Sequence, residues 1–238
     1  MALPKVNSSK YSTTLPSTGQ VIEYRPYVVK EEKILMIALE SQDQKQIISA
    51  MKDVVKACVF DDINENKLTP FDIEWMFLKL RSKSVGEKVI VKLKCDEEEC
   101  STSGITEVDI NLDEITIEDN IKKDKVIPIT DKIGVTVRYP SVSDLAKYDT
   151  DKLNTFQGAV GMIIDCLETI YDDDNVYDTK EEKRTDVEEF LENLSSTQFK
   201  KIADWFQGMP TISKTVEWKC PCGKDQKMEL RGIQSFFT

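Results

Sequence analysis

The side chains best suited to chemistry in this sequence are four cysteines in two pairs, Cys95-Asp-Glu-Glu-Glu-Cys100 and Cys220-Pro-Cys222-Gly223. Each pair falls where an alternating, strand-like run gives way to a polar turn, the arrangement from which a zinc ribbon builds a tetrahedral thiolate site out of two knuckles. Residues two apart in an extended backbone point the same way, so Cys220 and Cys222 can present both sulfurs to one ion. Pro221 stiffens that pair, and Gly223 permits the tight turn that brings backbone amides up to the sulfurs. The chain contains no His, so the ligands of such a site are all thiolates: Cys95, Cys100, Cys220 and Cys222. Four residues separate the first pair and one the second, where a common knuckle has two. Four unligated thiols, or a disulfide formed on oxidation, are the alternative reading. Cys58 and Cys166 lie beside Val54, Val55 and Ile163, Leu167 on apolar helical faces and read as core residues.

Other chemistry finds little to work with. Asp62-Ile-Asn64-Glu-Asn66 resembles the opening of a calcium loop, but Lys67 stands where that loop needs Gly and Ile73 where it needs a bidentate Glu. Without His, a Gly-rich phosphate loop or a nucleophile elbow, the residues point to a non-enzymatic protein, although two distant carboxylates can converge in a way no sequence displays. Acidic residues outnumber basic ones 43 to 32, a net charge of -11, and no Lys/Arg stripe is long enough to neutralise phosphates, which argues against nucleic-acid binding. No run approaches the roughly 20 apolar residues of a membrane span, and no basic-then-apolar start marks a leader. Such a chain is expected to stay in a reducing cytoplasm, where cysteines serve as buried thiols or metal ligands more often than in disulfides.

The elements that must position these residues follow from periodicity. Lys10–Leu15 and Val21–Arg25 flank Pro16-Ser17-Thr18-Gly19-Gln20 and predict an N-terminal hairpin over 1–28. A helical block over 29–85 follows. Val29–Ser41 sets Ile34, Leu35, Ala38 and Leu39 on one face, a second helix is expected from Asp43 to Phe60, and Thr69-Pro70-Phe71-Asp72 opens a third. A β region over 86–139 alternates Val89, Val91 and Leu93 with lysines, returns through Ile105–Leu112, and carries Cys95 and Cys100 at its tip. The block 140–210 reads as a helical insertion, with helices over Val142–Tyr148, Phe156–Tyr171, Glu181–Leu194 and Thr197–Gly208 and a solvated loop at Asp172, Asp173 and Asp174. A C-terminal hairpin over 211–238 carries Cys220 and Cys222. The sum is an α+β protein with β-hairpins at the start, middle and end of the chain, interleaved with two helical blocks. The two cysteine-tipped hairpins can meet only if the block between them is an insertion.

Beyond the last strand, Ile233, Phe236 and Phe237 place large apolar groups at the end of the chain. Such groups either tuck into the chain's own core or anchor in a partner, and all three are candidate partner-binding residues.

Three stretches together resemble a known family: the opening LPSTGQVIEYRPYVVKEEKILMIALES, the central cysteine-tipped hairpin, and the closing WKCPCGKDQKMELRGIQSFF. The layout is similar to that of baseplate hub proteins of T-even type contractile-tailed bacteriophages, hub components or assembly factors with no catalytic residues to carry over. The resemblance implies a structural or assembly protein whose partners are other baseplate or tail proteins, present in the host cytoplasm during assembly and in the virion tail. A cytoplasmic zinc-ribbon adaptor unrelated to phage is the runner-up, and a carboxylate-only enzyme the third reading.

Overall fold

The structure, a computed structural model, describes residues 8–41, 44–96, 100, 104–117, 125–148 and 155–236. The protein is α+β and forms two compact units. One comprises Met1–Glu65, Phe71–Glu118 and Thr211–Thr238; the other comprises Asn66–Pro70 and Asp119–Pro210.

The first unit opens with an antiparallel hairpin of β1 (Tyr11–Thr14) and β2 (Val21–Tyr24), paired from Tyr11 with Tyr24 to Thr14 with Val21. Its turn closes through Leu15 N–H to the Gln20 carbonyl and leaves Ile22 and Tyr24 buried on one face. Helices α1 (Val29–Ser41) and α2 (Gln44–Cys58) pack on each other, burying Leu35 and Ala38 of the first and Ala50, Met51, Val54, Val55 and Cys58 of the second.

The Arg25-Pro26 and Lys30-Glu31-Glu32-Lys33 motifs have a structural use. Glu31 is buried, pairs with Arg25 at 2.9 Å and accepts the Val28 N–H, while Arg25 also donates to the carbonyls of Pro26 and Ala57. Burial opposes the Glu31 charge, but the guanidinium and the amide outweigh it and hold the carboxyl below its ordinary value. One ion pair thus fixes the angle at which β2 enters α1 and meets the end of α2.

Helix α3 (Pro70–Ser84) runs through the centre of this unit and buries Met76, Leu78 and Leu80. Asp72 in its first turn accepts the Ser17 N–H, and Trp75 donates to the Thr13 hydroxyl, so the N-terminal hairpin is stitched to it. Strands β3 (Lys88–Lys94) and β4 (Ile105–Asn111) form a second hairpin in which Val89, Val91 and Leu93 point inward, as the period-two pattern requires. A 3₁₀ turn at Leu112–Glu114 leads into β5 (Thr116–Ile117).

The second unit is built on a four-stranded antiparallel sheet in the order β6 (Val126–Pro128), β7 (Gly134–Val137), β8 (Leu167–Tyr171), β9 (Val176–Asp178), with helices α4 (Val142–Ala146), α5 (Phe156–Cys166), α6 (Arg184–Glu192) and α7 (Ser196–Gln207). β6 and β7, which precede residue 140, share this sheet with β8 and β9 and do not pair with the cysteine-bearing hairpins.

The helix expected over Phe156–Tyr171 ends at Cys166, and Leu167 passes straight into β8. Thr169, Ile170 and Tyr171 have side chains that favour a pleated surface, and pairing with β7 outweighs the apolar helical period that runs into them. Asp172 is the turn residue between β8 and β9, its carboxylate accepting the N–H groups of Asp174 and Asn175. The helix expected from Glu181 begins at Arg184. Ser195 caps α7 in a reciprocal box with Gln198.

The unit is tied together by a charged cluster. Asp144 accepts from Arg138 and Lys147, and Asp165 accepts from Lys147, Arg184 and the Tyr148 hydroxyl. Both carboxyls are desolvated, yet their cationic and hydroxyl partners more than offset this and hold them below the usual carboxylate range.

Finally, β10 (Ile212–Lys219) and β11 (Asp225–Arg231) return to the first unit as its third hairpin, with β5 adding to β10 at Ile212 and Ser213. A 3₁₀ turn, Ile233–Phe236, follows. Ile233 and Phe236 are buried, Phe236 to 1% exposure, and the Ile233 N–H bonds the Glu74 carboxylate on α3. Of the two fates open to these apolar groups, Ile233 and Phe236 take the first and pack within their own chain. Phe237 lies outside the described residues.

Candidate metal centre

Two hairpins, 120 residues apart in sequence, place the four cysteines. Lys94 and Ile105 are the last paired positions of β3–β4, and immediately beyond them the Cys95 N–H donates to the Gly104 carbonyl at 2.6 Å. Lys219 and Asp225 are the last pair of β10–β11, and beyond them Cys220 N–H donates to the Lys224 carbonyl and Gly223 N–H to the Cys220 carbonyl. Each turn therefore carries its own backbone closure. The Asp96 N–H donates to the Gln226 side-chain carbonyl at 3.2 Å, a direct tie between the two tips.

Both turns need a left-handed residue. Gly104 has φ 69° and Gly223 φ 96°, a region where a Cβ clashes with the flanking carbonyl. Gly223 was legible beside its cysteine. Gly104 was not, because three residues separate it from Cys100; its signal is a lone glycine in a Ser/Thr run directly before a strand.

The four sulfurs lie within 4.8 Å of one another, and those of Cys100 and Cys220 are 3.7 Å apart. A tetrahedral ion with metal–sulfur distances of about 2.3 Å requires sulfur–sulfur separations of about 3.8 Å. None of the six cysteines is in a disulfide. Cys95 and Cys220 are buried and Cys100 and Cys222 half-buried, so the cluster has an enclosed side and an accessible one. A backbone N–H from Lys224 favours the Cys222 thiolate, but hydrogen bonding with the Cys220 thiol and burial outweigh it and raise that thiol. Donor number, donor type and spacing all fit one four-coordinate, thiophilic metal ion. Among the described residues no other group of three or more Cys, Asp or Glu side chains is so arranged.

The remaining candidates fall outside this centre. Burial pushes the Cys58 thiol up to about 11 and that of Cys166 up to about 12, which leaves both as inert core thiols. In the loop that resembles a calcium site, Glu65 pairs with Lys56 at 2.6 Å. No described helix is long and apolar enough to cross a membrane.

No curated protein and no solved structure matches the chain. The model of one family, described as T4 bacteriophage base plate protein, matches residues 8–238. That span takes in both units, both cysteine pairs and the Arg25–Glu31 lock, and the chain belongs to the T4 bacteriophage base plate protein family.

Proposed function

We propose that the protein is a structural or assembly component of the baseplate hub, that it acts through contacts with other tail proteins, and that its four cysteines hold one structural zinc. The observation that carries the functional reading is family membership over nearly the whole chain. Physical features support it. Charged side chains in the second unit are spent on one another, as Asp144 and Asp165 are, and the cysteines form an inward-facing staple rather than an open catalytic site. A four-thiolate set leaves the ion no open position for water or substrate, so the metal organises the fold and does no chemistry. Zinc suits four cysteines in a reducing cytoplasm better than the hard cations, which prefer oxygen. Family membership removes the support for an adaptor unrelated to phage.

The test is affinity purification of the tagged chain from infected cells at the time of tail assembly, with mass spectrometry of the eluate and of mature particles. Hub and tail proteins are expected in the eluate well above an untagged control. Recovery of the chain with host proteins alone would overturn the reading.

A further inference from the structure

Helix α1 is apolar on two opposite sides. One side, Leu35 and Ala38, is buried against α2. The opposite side carries Val29, Lys33, Met36, Ile37 and Glu40, residues that the helical period of 3.6 gathers into one stripe. Val29 is 65%, Met36 57% and Ile37 68% exposed. With Lys33 and Glu40 the stripe exposes on the order of 500 Å², of which the three apolar residues supply about 300 Å², within the roughly 300–600 Å² of the largest patch on a monomer.

The charges within the stripe say what covers it. Lys33 and Glu40 are exposed, and neither has an ion-pair partner among the described residues. They stand symmetrically about the point midway between Met36 and Ile37, one cation and one anion at equal distance along the helix. An antiparallel twofold copy of the stripe sets Lys33 opposite Glu40 of the second copy and Glu40 opposite its Lys33, with Met36 against Ile37 at the centre. A surface that complements itself under a twofold rotation is what an isologous dimer requires. Two such faces bury about 1,000 Å² in total, the lower limit for a specific interface.

We propose that the exposed stripe of α1 binds the same stripe of a second copy of this chain in antiparallel register. The interface is small, so the dimer is concentration-dependent and in the micromolar range. It forms whether or not the chain is loaded into a baseplate, and it makes no use of the metal centre.

Sedimentation of the purified full-length protein, from about 1 to 200 µM, tests it. The wild type is expected to pass from monomer to dimer. Ile37→Glu is expected to weaken association at least a hundredfold, and Lys33→Glu and Glu40→Lys singly about tenfold, while the double variant Lys33→Glu with Glu40→Lys regains wild-type association because the opposed charges are again paired. Circular dichroism melts of each variant check that a solvent-facing change has left folding intact. A wild-type monomer throughout the range would overturn the proposal, as would a dimer indifferent to Ile37→Glu. A double variant no tighter than the single ones would overturn the antiparallel register, and a stripe covered in cell extracts only by a different protein would assign it to that partner instead.

Discussion

Replacing Cys222 by Ser is expected to release the metal and to loosen the first unit while leaving the second nearly untouched. The site joins the ends of β3–β4 and β10–β11, hairpins that the chain separates by most of the second unit, Asp119–Pro210. The tips are also linked directly, by Asp96 N–H to Gln226 and by the close approach of Cys100 and Cys220. Structural zinc contributes about 10–16 kcal/mol to small metal-folded domains, and even a fraction of that is comparable to a whole domain's stability of about 5–15 kcal/mol. Cys222 is half-buried, so the serine itself costs little packing and the loss reports the metal. Hydrogen exchange is the measurement. Amides of β3, β4, β10 and β11 should lose protection by a factor of at least 100, and those of β7, β8 and α7 by less than threefold. Uniform protection in wild type and variant would mean that the cysteines have no structural task.

Phe236→Ala is expected to destabilise the protein by about 3–5 kcal/mol, the cost of emptying a fully buried aromatic site. For a chain of this size that corresponds to a fall in melting temperature of roughly 6–20 °C. Phe236 is held in a 3₁₀ turn whose first residue bonds the Glu74 carboxylate of α3 and which packs on β3 and β11, so the turn closes the first unit's core. A thermal melt decides it, and a loss below about 1 kcal/mol would return Phe236 to the surface and to a partner. A failure of baseplate assembly in this variant is expected as a consequence of unfolding.

How far the sequence could be read depended on how local the determining physics is. The alternation of Val89, Val91 and Leu93 against lysines encodes a strand whatever surrounds it, and Ser195 with Gln198 encodes a helix start from four residues. The cysteine pairs were legible for the same reason, since each lies within one turn. What was not legible rests on distant partners. Leu167 to Tyr171 continues a helical apolar period and becomes a strand because β7 is alongside. The division of the β segments into two units, with β6 and β7 inside the insertion, is a matter of which strands meet and leaves no mark on any one of them. The burial of Phe236 depends on β3, far from it in the chain, which no short window contains. The Arg25–Glu31 lock lay in plain sight in the sequence as a motif, but its meaning, a buried ion pair at the junction of β2, α1 and α2, is a property of the assembled unit.

In the proposed centre, two hairpins of a baseplate protein close on one zinc through four thiolates. Zinc X-ray absorption, with elemental analysis on the same full-length protein purified without chelator or oxidant, tests it most directly. The account predicts about one zinc per chain and a first shell of four sulfurs at about 2.3 Å with no nitrogen or oxygen. Less than a tenth of a zinc per chain in a fully folded sample, or a shell containing oxygen, would contradict it.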